Sequence, residues 1–180
     1  MAIRQNKTLL FISPIIFLLL ICFLNIQSLA IMKGLSTEEL TKESEMVVIG
    51  EVKDVQSHWS SDGTTIFSSA AVVVYEIIKG RANHDIVVEY EGGEVGEIGL
   101  KVSDAEPLKK GEKVLLFLKT GKSKKDGNIY NIIGKAQGKY TIGEDGIARK
   151  RGFSIVNGQE GIDNNIPTEK LIDKIRKVKQ

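Results

Sequence analysis

The amino-acid sequence predicts a mainly β fold: a small OB-like β-barrel with a short N-terminal helix and a C-terminal amphipathic helix. Three observations predict it. Short β-branched runs recur between turn signals, with no alternation of strand and helix. Two of those runs, the second half of "TIFSSAAVVVYEIIKG" (65–80) and "VLLFL" (114–118), are apolar on both alternating faces, so both faces must be covered. The helical period appears only at the two ends of the domain.

The elements follow in order. "LSTEELTKESE" (35–45) places Ser36 three residues before Glu39, the spacing of a capping box that starts a short helix. "MVVIGEVKDVQSHW" (46–59) is a strand, and Gly50 within it marks a bulge or bend. "SSDGTT" (60–65) is a turn, with Asp62-Gly63 supplying the positive φ of a hairpin. Strands follow at 65–80, 84–93 and 109–121, then two or three short ones across 128–153, punctuated by Gly134, Gly138 and Asp145-Gly146. In the tail, 161–179, Leu171, Ile172, Ile175 and Val178 share one helical face, and Lys174, Arg176, Lys177 and Lys179 gather at the end where the helix dipole favours cations. So short a helix must dock to be stable.

The first thirty residues are set apart from this domain. Arg4 and Lys7 precede an apolar run at 8–26, and Ser28 and Ala30 then take small-residue positions, which predicts an export signal cleaved after Ala30. The alternative is that 8–26 stays as a membrane anchor, since the run approaches the length of a span. Lipid attachment at Cys22 is disfavoured by the bulky "LLI" before it. The remaining domain, 31–180, has no cysteine, which excludes thiol catalysis, thiolate metal sites and disulfides there. The expected location is therefore outside the cytoplasmic membrane, with membrane contact only through 8–26 if that segment is retained.

Charge is divided along the chain. Residues 31–105 carry 6 basic and 14 acidic side chains, and 106–180 carry 17 and 9. A basic face for an anionic partner is one reading. Interleaving of the two halves within one barrel, so that they neutralise each other, is the favoured one.

The stretch "EGGEVGEIGL" (91–100) is the most unusual part of the sequence. It is no Walker-type loop, because Gly99 is followed by Leu100 and Lys101 with no helix pattern behind. Glu91, Glu94 and Glu97 would also repel phosphate from backbone N–H groups. Calcium has a weak case in those three carboxylates, but no Asp-x-Asp-x-Asp-Gly run accompanies them. The favoured reading of Gly92, Gly93, Gly96 and Gly99 is structural: a wide hairpin or flap over one end of the barrel, with "IGLKVS" (98–103) pairing as a short strand. Loops on a rigid scaffold often carry binding residues.

Four stretches in this order carry a resemblance: "VVIGEVKDVQSHW", "VYEIIKG", "VEYEGGEVGEIGLKVSDAEPLKKGEKVLLFL" and "GKAQGKYTI". They resemble a family of uncharacterised exported β-domain proteins of bacteria and archaea, over residues 46–142. The most specific part is 88–118. The resemblance implies an exported β-domain and no reaction. At the level of fold, the strand rhythm is also similar to netrin-type OB barrels such as the tissue metalloproteinase inhibitors. Their inhibitory N-terminal cysteine has no counterpart at Ile31.

Other constellations are thinner. His58 and His84, the only histidines, could hold zinc with Asp62 or Asp85, but nothing in their spacing requires it. Trp59 is either a binding anchor or a cap on the core. No Gly-x-Ser-x-Gly elbow is present. Phe67, Tyr75 and Phe117 read as core, which leaves Tyr130 and Tyr140, near Lys122, Lys124, Lys125 and Lys139, as the one cluster suggestive of nucleic acid. The function expected is a non-catalytic binding module for an envelope protein or glycan, with no cofactor, and nucleic acid disfavoured. Its suspect surface is His58, Trp59 and Asp62 together with Glu91, Gly92, Gly93, Glu94, Gly96, Glu97 and Gly99. A membrane-anchored structural protein is the alternative, and a hydrolase the third.

Overall fold

The computed structural model describes residues 34–121, 129–152 and 162–178. The export-signal or anchor segment, and Lys122, Lys124 and Lys125, lie outside the described residues. Helix α1 (Thr37–Glu43) starts as its sequence requires: Ser36 Oγ accepts from the Glu39 N–H at 3.1 Å, and the Glu39 carboxylate accepts from the Ser36 N–H at 2.9 Å.

Strands β1 (Met46–Trp59), β2 (Ile66–Lys79) and β3 (Asp85–Glu91) form an antiparallel meander. Among the described residues, β4 (Gly93–Val95) and β5 (Ile98–Leu100) pair only with each other. β6 (Lys113–Thr120) returns to pair antiparallel with β1, and β7 (Ile129–Ile132) pairs antiparallel with β6 and parallel with β3. The ring β1-β2-β3-β7-β6 is thus a closed five-stranded barrel. β8 (Lys139–Ile142), β9 (Ile147–Arg149) and β10 (Ile166–Pro167) extend the sheet from β6, and α2 (Thr168–Lys177) ends the fold.

The apolar run 114–118 needs two cores, and the fold supplies them. Val114, Leu116 and Leu118 face the barrel interior with Met46, Val48, Val52, Ala70, Val72, Ile86 and Val88. Leu115 and Phe117 face outward with Val47 and Ile49, under Leu40 of α1 and Leu171, Ile172 and Ile175 of α2. Tyr140 of β8 completes this outer core, its ring 6.2 Å from that of Phe117. β1 serves both cores, and its pairing with β2 slips three times, between Val47 and Val48, between Ile49 and Gly50, and between Val52 and Asp54. A Cβ at Gly50 would lie 2.5 Å from the Val73 carbonyl oxygen, so the bulge expected there is also a close backbone crossing.

Three expectations about aromatic and apolar residues are corrected. The second half of β2 is covered on one face only: Val72 and Val74 are buried, while Tyr75 and Ile77 are 54% and 43% exposed. β3 pairs with β2 no further than Asp85 opposite Val73, which leaves Tyr75 without a neighbouring β3 residue. Its hydroxyl donates instead to the Glu51 carboxylate. Phe67 is half-buried rather than core, beside the His58 ring. Tyr140 is fully buried and so is Lys139, so the suggested nucleic-acid cluster offers neither of them.

The two charge halves interleave. β1 lies against β6 and β3 against β7. Ion pairs join the halves as well, Lys135 to Asp104 at 2.7 Å and Arg176 to Glu76 at 2.9 Å.

One buried charge is left over. Lys150 is 4% exposed, and its Nζ lies 4.5 Å above the Tyr140 ring with no hydrogen-bond partner among the described residues. Burial favours the neutral amine and pushes its pKa down from 10.5 to about 8. Between those values the unfolded chain holds a proton that the folded chain has lost, so stability rises with pH across that window. Below pH 8 the penalty is fully present. Lys150→Met should therefore stabilise the protein at pH 7 by up to about 3 kcal/mol, and urea titrations should show the gap to the parent closing between pH 8 and 10.5. Leu171→Ala tests the docking of α2 and should cost about 2–5 kcal/mol in the same titration.

Candidate functional site

The glycines of 91–100 set a fold-back. Gly92 and Gly93 have φ of 108° and 128°, conformations open to glycine and strained for other residues. The Gly92 N–H donates to the Ile66 carbonyl at 2.8 Å, and the Gly92 carbonyl accepts from Ser68 Oγ at 2.6 Å. Ser68 and Ser57 share a hydroxyl contact at 2.9 Å, and Ser57 Oγ accepts from the Glu94 N–H at 3.3 Å. A Cβ on Gly93 would fall 2.3 Å from both serine oxygens. The chain can pass over this serine pair only as bare backbone.

Beyond that seat the segment is a tight hairpin rather than the wide one expected. Val95 pairs with Ile98, leaving Gly96-Glu97 as a two-residue turn. Gly96 has φ of 63° at the first turn position, where a II′ hairpin wants glycine. Glu94, Glu97 and Ile98 are exposed on this hairpin, Ile98 to 56%.

The following loop, 101–112, has few strand bonds but many ties. Tyr90 Oη accepts from the Leu108 N–H at 3.2 Å, and the Ala136 N–H donates to the Asp104 carbonyl at 3.0 Å. Lys139, 2% exposed at its side chain, donates to the Pro107 carbonyl at 2.7 Å and meets Glu112 at 2.9 Å. Thr141 donates to the other Glu112 oxygen. Such a buried pair holds geometry more than it adds stability.

Between this loop and the barrel wall lies a cleft of about 150 Å³. Tyr90 and Ile132 on the barrel and Val102 and Ala105 on the loop form its apolar lining. Glu89, Glu91, Glu106, Asn131 and Lys135 supply its polar groups. Burial pushes the Tyr90 pKa up, so the phenol remains neutral.

The predicted surface residues divide. Gly93 and Glu94 are brought against Ser57, so the hairpin rests on the end of β1, while His58, the next residue, points to the other face of the strand. Trp59 is 40% exposed there. His58 Nε2 lies 3.8 Å from a Glu89 oxygen, which links it to the cleft rim. Glu91 belongs to the cleft. Asp62 shapes its own turn: its carboxylate accepts from Ser60 Oγ at 2.6 Å and from the Thr64 N–H and hydroxyl, which hold its pKa down at about 2. His84 meets Asp85 at 3.4 Å, and both are well exposed. No group of three or more His, Cys, Asp or Glu able to hold a metal occurs among the described residues.

Sequence reasoning missed the serine seat and the cleft. Glu89 and Glu91 were detectable, because alternate residues on a strand share a face. Ser57 and Ser68 carry no such signal, since their role depends on the register of β1 with β2. Searches against protein-family models and curated proteins returned no match.

Two glycine substitutions separate conformation from contact. Gly96 has open space around its Cβ position and a positive φ, so Gly96→Ala should cost about 1 kcal/mol. Gly93→Ala adds the collision with both serines and should cost at least about 3 kcal/mol. Thermal denaturation of the two variants measures the difference.

Proposed function

We propose that this chain is a non-catalytic binding module acting outside the cytoplasmic membrane, and that it meets an envelope protein or glycan through the β4–β5 hairpin and the adjoining end of β1. The observation that carries this reading is the serine seat. Ser57 and Ser68 hold Gly92 and Glu94 in place. Exposed Glu94, Glu97 and Ile98 therefore stand on a hydrogen-bonded base at the end of β1, the strand that also carries His58 and Trp59, instead of trailing as a loose loop. An exposed aromatic and an exposed isoleucine among carboxylates have the composition of a recognition patch. Closure of the barrel supports the same reading, because it gives the hairpin a rigid scaffold.

The test is affinity capture from envelope extract with the tagged full chain as bait. The parent should retain a partner in a salt-sensitive way. The double variant Glu94→Lys, Glu97→Lys should lose it, as should Trp59→Ala, with circular dichroism confirming that each is folded. A partner held equally by all of them would place the contact elsewhere. Absence of any partner, together with turnover lost on one carboxylate substitution, would overturn the module in favour of a hydrolase.

A further inference from the structure

We propose that the cleft between β3, β7 and the 102–106 loop is a pocket for one alkylammonium group, the side chain of a lysine on the partner. This rests on the binding-module reading and names the chemistry its second contact would recognise. Size is the first argument. A cleft of about 150 Å³ is well below the 300–1,000 Å³ of pockets that enclose whole metabolites, and is comparable to a cavity that admits one benzene ring. It therefore suits a single side chain.

The walls give the second argument. Tyr90, Val102, Ala105 and Ile132 offer an apolar surface suited to a methylene stem, which lysine habitually buries while its charged head stays hydrated.

Charge gives the third. Glu89, Glu91 and Glu106 contribute three carboxylates, and Lys135 is the one cation of the lining among the described residues. Lys135 is already neutralised by Asp104, at 2.7 Å. Among the described residues Glu89 has only the long His58 contact at 3.8 Å, and neither Glu91 nor Glu106 is in an ion pair. The site is thus a net-negative rim around an apolar hole. A metal ion fits it poorly, because no three of these groups converge closely enough to ligate one. An ammonium has three N–H donors that point in different directions and can meet separated carboxylates.

The experiment is an amide-shift titration of the purified full chain by NMR. The probe is Nα-acetyl-lysine N-methylamide, and its uncharged counterpart is the norleucine compound. Lysine should give saturable shifts centred on Tyr90, Val102, Ala105 and Ile132, with a Kd of about 1–10 mM. Norleucine should bind at least about tenfold more weakly. The double variant Glu91→Gln, Glu106→Gln should weaken the lysine probe by about tenfold, while Glu43→Gln, Glu169→Gln, which removes as much charge from exposed positions on the two helices, should leave it unchanged. The spectra themselves report whether each variant is folded. Equal shifts with both probes, shifts spread over the acidic surface without saturation, or equal effects of the two double variants would each overturn the proposal. Partner capture reports on the hairpin and this titration on the cleft, so failure of either reading is seen separately.

Discussion

The pairing of β1 with β6 is the constraint on which the structure depends. Residues 114–118 of β6 are buried without interruption, and the facing part of β1, Met46 to Ile49, is buried as well. A two-stranded wall that is apolar on both faces cannot stand in water. One face closes into the barrel with β2, β3 and β7. The other must be roofed, and α1, α2 and β8 provide the roof through Leu40, Leu171, Ile175 and Tyr140. The terminal helices are therefore part of the core and not appendages. The three slips in β1 follow from the same demand, because one strand has to serve two cores.

The candidate surface is positioned by a different kind of force. The barrel is held by apolar burial, whereas the hairpin and the loop behind it are placed by a few directed bonds. Ser57 and Ser68 fix the near end. Lys139 and Glu112 fix the far end, with Tyr90 and Leu108 between. Hydrogen bonds of this kind contribute about 1 kcal/mol each, enough to choose a geometry without making it rigid to the core. Among the described residues the β4–β5 hairpin has no strand pairing with the barrel, and three-residue strands do not form a stable sheet alone. A surface of that character can adjust to a partner while the barrel stays fixed.

Much of the fold was legible in the sequence because its signals were local. The Ser36–Glu39 box, the β-branched runs and the Leu171–Ile175 helical face each lie within a few residues of the element they specify. What escaped was long-range. Tyr75 sits in an apolar run and is exposed, because where β3 begins is not written in β2. Tyr140 has lysines around it in sequence, yet it lies beneath the helices. At the site, the glycines announced a fold-back, and Gly93 shows why only glycine serves. The serines beneath it and the cleft beside it arise from the pairing of distant segments, which periodicity cannot report.

Native-state hydrogen exchange tests most directly the central claim, that a two-cored wall supports a separately held hairpin. Amides of β6 from Val114 to Leu118 should exchange only through global unfolding and should slow in step with added stability. Amides of the β4–β5 hairpin should exchange through a local opening of much lower free energy, unmoved by mild denaturant. If hairpin and β6 amides shared one opening free energy and one denaturant dependence, the hairpin would be part of the core unit. The separation between scaffold and surface would then be wrong.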